Sequence, residues 1–222
     1  HKGSAKYFFG LVKKGAAGKT RTVPFSEKVS VVAKTTAHDV LASGEFCNFR
    51  RRLAHLLTMY GFLAYVIATA TMVFAYPTAA TPAPTLLVNV WWVGIIMLAV
   101  GCYWFWFFIR VDVAAEGNSP FRMVRADLFV VSLMVSASLG IIWGYLQVIG
   151  NFWSTFAVGL YLISTTVLFG SVIWSKFSHM FFKPAAAYQK NMAKADGGRR
   201  NLPAPSDKPS IYGKVQRHSH HY

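Results

Sequence analysis

The chain has 222 residues, of which 54% are hydrophobic and only 14% charged, and its mean hydropathy is +0.37. Soluble domains usually carry about 25% charged residues, so this balance excludes an ordinary soluble globular domain and points to a membrane protein. The formal net charge of +15 gathers outside the apolar runs, which favours anionic lipid headgroups or an acidic protein partner over nucleic acid.

From His1 to about Gly44 the composition is mixed. The patch Tyr7–Val12 lies between Lys6 and Lys13–Lys14; it is too short to span a bilayer and reads as interfacial. Ser26 to Leu41 is predicted helical, with Ser26 as its N-cap. The first long apolar run begins only after about fifty residues, so no signal peptide is read.

The first predicted span runs from Leu53 to about Tyr76 and stops at Pro77. The second covers Leu86 to Ile109, with Trp91–Trp92 near one end and Trp104 and Trp106 near the other, as in interfacial aromatic belts. Arg110 and Asp112 close it, and Gly117–Pro120 marks a turn in the loop that follows. The third covers Ala126 to Ile149, with Asp127 placed to favour the helix dipole. The fourth is expected over Phe152 to Phe182, long enough to tilt or project, with Pro184 as a break or kink near its end. From Ala193 the tail is polar and extended, and Arg217–His221 reads as a solvated tail rather than a metal site.

Loop charge sets the expected topology. Arginines 50, 51 and 52 precede span one, and Arg110, Arg122 and Arg125 lie between spans two and three. Lys176, Lys183, Lys190, Lys194, Arg199 and Arg200 lie at and after the end of span four. The connections 77–85 and 150–154 contain neither Lys nor Arg. The positive-inside rule then predicts an all-α, four-transmembrane-helix bundle with both termini cytoplasmic, in the inner (cytoplasmic) membrane. Its regions are an interfacial segment over 1–49, a transmembrane domain over 50–183 and a basic tail over 184–222.

Two histidines fall in the spans, His55 one turn into the first and His179 near the end of the last. Four antiparallel crossings bring both to one membrane depth on the basic side. Facing imidazoles at matched depth are what a single b-type haem needs as axial ligands. Gly61 is expected to give weak help by letting a macrocycle or another helix approach. Gly140 and Gly144 form a GxxxG that fits helix packing at least as well. Cys47 and Cys102 form no CxxC pair, so no iron–sulfur or zinc motif is present.

The stretches His55–Phe62 (HLLTMYGF) and Lys176–Pro184 (KFSHMFFKP) resemble the first and last haem-binding helices of membrane cytochromes b related to the nitrate reductase gamma subunit. His38, Glu45–Phe46–Cys47, the arginine cluster and His55 look closer to one branch. That branch holds the membrane subunit of the quinone-interacting oxidoreductase that partners adenylylsulfate reductase, the adenylylsulfate reductase membrane anchor and membrane subunits associated with heterodisulfide reductase. The resemblance covers roughly His38 to Gln189. It implies haem b, a quinone site and a cytoplasmic iron–sulfur or flavin partner. Many members carry two haems on four histidines, whereas no histidine lies near the uncharged face here, so one haem is expected. Electrons are expected from a separate subunit or from chain upstream of His1. His38, Arg110, Asp112 and Lys176 are the quinone candidates, because a quinone needs hydrogen bonds and a proton source near headgroup depth. A cofactor-free structural anchor and a transporter subunit are the competing readings. The near absence of charge inside the spans weakens the transporter reading.

Overall fold

A computed structural model describes residues 6, 10, 19, 21–44, 46, 48–78, 80–114, 116–124, 127–171 and 179–198, without the side chains of 111, 112 and 179–182. Every regular element among the described residues is helical. These residues group into two compact units: His1–Ala42 with Met180–Tyr222, and Ser43–His179.

In the first unit, helix α1 (Phe25–Lys34) continues as a π-helical turn over Thr35–Leu41. The helix begins straight after Pro24, and Ser26 lies inside its first turn rather than capping it. Proline before a helix costs nothing, because the missing N–H has no intrahelical partner there. Arg21 pairs with Glu27, and its Nε also donates to the Ala195 carbonyl at 2.7 Å. Lys19 lies 3.7 Å from the Asp196 carboxylate. These cations therefore gather at the C-terminal end of the last helix, the negative end of its dipole. Gly197 follows at φ +77°, a left-handed stop that glycine adopts without strain.

In the second unit, α2 spans Phe49–Ala75 and starts earlier than the hydropathy suggested. Asn48 caps it, its Oδ1 accepting from the Arg50 and Arg51 amides at 2.9 and 3.5 Å. The arginine cluster is thus the first helical turn rather than a flanking loop. Helix α3 (Thr85–Trp104) widens into a π turn over Phe105–Ile109, and the short α4 (Val111–Ala114) follows. Helix α5 spans Leu128–Val148 and ends in a Schellman motif. There Gly150 stands at φ +66°, and the amides of Gly150 and Asn151 donate to the carbonyls of Gln147 and Leu146. Helix α6 follows over Ser154–Gly170.

Among the described residues three helices are long and apolar enough to cross a membrane, Phe49–Ala75, Thr85–Ile109 and Leu128–Val148, which marks a multi-pass membrane protein. The fourth expected span differs: the apolar helix stops at Gly170 after 17 residues, at the short end of bilayer-crossing lengths. Its continuation through Lys176 lies outside the described residues. Helix α7 (His179–Ala195) then carries Pro184 in its interior, so the helix continues past this proline rather than breaking there.

The core of this unit forms around α3, which packs against α2 and α5, while α5 packs against α6. Ile95, Leu98 and Cys102 are its most buried side chains. The α2–α3 crossing is a backbone contact: a Cβ on Gly61 would lie 2.5 Å from the Leu98 amide nitrogen and 2.8 Å from the Gly94 carbonyl. Gly94 and Gly101 meet α2 in the same way, at Tyr65 and Thr58. Gly140 and Gly144 instead receive side chains, Ile95 and Tyr161 against one and Trp91 and Trp92 against the other. Across α5 and α6, Ser136 and Thr165 share a 2.8 Å hydrogen bond, and Trp143 stacks on Tyr161.

Candidate functional site

His55 sits on α2, six residues after its first residue, about 9 Å along the helix axis. Its ring is half-buried and held from two sides. Ser43 Oγ lies 3.0 Å from Nδ1, and the Phe46 ring lies 4.9 Å from it, centroid to centroid. When Nδ1–H donates to Ser43, the lone pair is on Nε2, the tautomer required of an Nε2 metal ligand. Ser43 itself is buried, and among the described residues it is the one non-glycine residue with positive φ, at 49°.

The face of α2 that carries His55 is not the face that meets α3. At 100° per residue, Gly61 lies about 120° around the helix from His55, whereas Phe62 lies within about 20° of it. Phe62 packs toward Phe169 of α6, with ring centroids 6.3 Å apart. The His55 side of α2 is therefore turned toward the helix that leads into the segment bearing His179. Gly61 lies at the crossing with α3, the helix approach that a small residue permits. His179 is the first residue of α7; its side chain lies outside the described residues, so no distance to His55 follows.

The quinone candidates separate. Arg110 is buried beneath the loop that follows α4. Its Nη2 pairs with Asp127 Oδ2 at 2.9 Å and also donates to the Arg122 carbonyl. Nη1 donates to the Pro120 carbonyl at 3.4 Å, and the guanidinium stacks 4.2 Å over the Trp106 ring. Asp127 in turn accepts from the Val124 amide at 3.1 Å. Arg110 and Asp127 therefore form an internal tie between the end of α3, the loop and the start of α5. Arg110 is thus held in place from several sides at once. Asp127 does more than the helix-dipole role expected of it.

His38 belongs to the other unit and is largely exposed, with Nδ1 2.9 Å from Asp39 Oδ1. Asn191 Nδ2 donates to Asp39 Oδ2 and to Thr35 Oγ1, each at 2.9 Å. Burial pushes the Asp39 carboxyl upward, but hydrogen bonds from His38 and Asn191 and the nearby Lys190 charge outweigh it and hold the carboxyl below its ordinary range. Asp112 lies in α4 with its side chain outside the description, and Lys176 lies outside the described residues. Among the described residues no cluster of three or more His, Cys, Asp or Glu is present.

Sequence reasoning missed Ser43, Phe46 and Asp127 as partners of the singled-out residues. The Ser43–Gly44 dipeptide is a turn signal that marks where the chain folds back on His55. Comparison with known protein families, with curated proteins and with solved structures finds no match to this chain.

Proposed function

We propose that this chain is a haem b electron-transfer subunit of the inner (cytoplasmic) membrane. In this reading it passes electrons between a cytoplasmic iron–sulfur or flavin enzyme and the quinone pool, with four spans and both termini cytoplasmic. The observation that carries the reading is the 3.0 Å contact between Ser43 Oγ and His55 Nδ1; with Nδ1–H as the donor to Ser43, Nε2 is the nitrogen that would bind iron. The Phe62–Phe169 contact supports His179 as the second ligand, because it turns the His55 face toward the α6 end of the unit. A b haem held there supplies one-electron redox chemistry. His55 and His179 hold the iron, Ser43 fixes the His55 ring and Phe46 covers part of it. The resemblance to the nitrate reductase gamma-like cytochromes, and to the membrane anchors that serve adenylylsulfate reductase, supplies the partner and substrate classes.

The test is a reduced-minus-oxidised visible spectrum of the purified protein, with a pyridine haemochrome assay for stoichiometry. One low-spin haem b per chain is expected, lost in His55→Ala or His179→Ala and kept in His218→Ala, His220→Ala and His221→Ala. Removing a hydrogen bond behind a metal-bound histidine typically weakens the metal site 10- to 100-fold, so Ser43→Ala should lower haem affinity by roughly that factor. Two haems per chain would sink the single-haem claim.

A cofactor-free membrane anchor is the second reading. The α2–α3 crossing favours it, since Gly61, Gly94 and Gly101 close that interface backbone to backbone with nothing inserted. A colourless protein from haem-replete cells would decide for it.

A further inference from the structure

Helix α1 carries an apolar stripe that no described residue covers. Phe25, Val29 and Val32 are 81%, 50% and 47% exposed. Their i, i+4, i+7 spacing places all three within about 60° on one side of the helix. A different side of the segment packs: Thr35 is buried against Asn191, and Val31 and Glu27, one and two turns earlier, are half-buried. Lys28 is exposed at one border of the stripe, and Lys34 is exposed on the far side. The stripe is narrow. A stable protein interface buries on the order of 800 Å² per partner, more than three side chains supply. It has the form of an interfacial helix, apolar on one side with cations beside it.

The tether is short. Seven residues separate Leu41 from Phe49, the first residue of a candidate span, and the eight steps between them reach at most about 28 Å at full extension. The chain has a net charge of +15, complementary to an anionic surface.

We propose that the Phe25–Val29–Val32 face of α1 is seated in the boundary between headgroups and acyl chains of the anionic bilayer that α2 crosses. Phe25 enters the apolar layer deepest, and Lys28 stays at phosphate level by extending its stem. The helix then acts as a float that holds the N-terminal unit against the membrane. This placement does not depend on any bound haem.

The test uses the full chain with Cys47→Ser, in nanodiscs of mixed zwitterionic and anionic phospholipid. An environment-sensitive fluorophore is attached at Val29→Cys, at Val32→Cys or at Lys34→Cys. These side chains are exposed, so labelling leaves the packing intact. The labels at 29 and 32 should shift to the blue and be quenched by a lipid carrying a shallow nitroxide, and the label at 34 should do neither. Adding Lys28→Glu should shift the docked-to-undocked ratio by several-fold, since one basic residue near an anionic surface is worth roughly fivefold. Equal water exposure at 29, 32 and 34 in anionic nanodiscs would overturn the proposal. So would protection that appears only when soluble protein is added, because that would assign the stripe to a protein partner.

Discussion

Gly61→Ala adds a single methyl group, and its effect is fixed by what the methyl meets. The new Cβ would stand 2.5 Å from the Leu98 nitrogen and 2.8 Å from the Gly94 oxygen. Both are backbone atoms, so no rotamer change relieves the contact. To restore ordinary contact at 3.4 Å, one helix must retreat by about 0.9 Å. A gap of 0.5–1 Å forfeits roughly a quarter to a half of each dispersion contact along the seam. That seam includes Tyr65, Ile95 and Leu98, which are buried in the core. Overpacking typically costs about 1–3 kcal/mol, and an unyielding backbone places this case at the upper end. Alanine's better helix propensity returns at most about 1 kcal/mol. The net expectation is a loss of about 2 kcal/mol.

Gly159→Ala is the internal control. It also lies inside a helix, but nothing stands within 4 Å of its added Cβ. It should be neutral or stabilising by up to about 1 kcal/mol. Equilibrium unfolding by SDS in mixed micelles, followed by tryptophan fluorescence, measures both variants. Trp91 lies in this core, with its Nε1 donating to Thr69 at 3.0 Å, and reports its loss. Equal stability of the two variants would refute the backbone contact between α2 and α3.

The remaining predictions concern charge and topology. Arg110→Met or Asp127→Leu alone should cost roughly 3–5 kcal/mol by stranding a buried partner, and the double variant should recover much of it, as a double-mutant cycle by SDS unfolding would show. The Asp39 carboxyl should titrate below its usual value of about 3.9, because His38, Asn191 and Lys190 together outweigh its burial; a carbon-13 titration should find that midpoint raised in Asn191→Ala. A carboxyl with a depressed folded-state pKa gives stability above its unfolded value and loses it as pH falls through the folded one. The Thr35–Asp39–Asn191 cluster should therefore loosen only in acid, visible as faster amide exchange in α1. Thr81→Cys should react with an impermeant maleimide only from outside intact cells, and labelling confined to the cytoplasmic side would overturn the topology. Docking of an acidic redox partner should weaken with salt, since screening acts over about 8 Å at physiological strength, and no soluble partner under mild low-salt extraction would count against it.

Much of the helical frame was legible because apolar runs of bilayer length carry their own signal. Pro77 and the 150–151 turn fell where the chain breaks, and α3 with its π turn, and α5, lie within two residues of their expected ends. The start of α2 was misplaced because hydropathy ignores caps: Asn48 was legible as an N-cap, and the arginines hid it. The α2–α3 crossing was legible too, in small residues seven apart at Ala54, Gly61 and Ala68 facing Gly94 and Gly101. A repeat of seven keeps small residues on one face and allows close approach. The GxxxG of α5 drew attention instead, and there the glycines accommodate aromatic rings. The Arg110–Asp127 tie was not legible, because pairing across 17 residues depends on how the intervening loop folds. Nothing in sequence spacing distinguishes a buried arginine just past a span end from an interfacial one.

Ser43 ties local strain to the site. A non-glycine residue at φ 49° costs about 1–2 kcal/mol relative to right-handed backbone, and glycine avoids that cost. Glycine stands one position later, at Gly44, and not at Ser43. If the turn alone mattered, the stable arrangement would place glycine at position 43. What glycine lacks is the hydroxyl, and here the hydroxyl lies 3.0 Å from His55 Nδ1 in a buried position. Strain kept where a side chain touches an imidazole suggests that orienting the ring matters more than relaxing the backbone. A histidine that only needed a hydrogen bond at the membrane interface would find one in water or a headgroup without it. The Ser43–His55 contact therefore fixes the orientation of the ring, which is what the proposed ligand role of His55 would require.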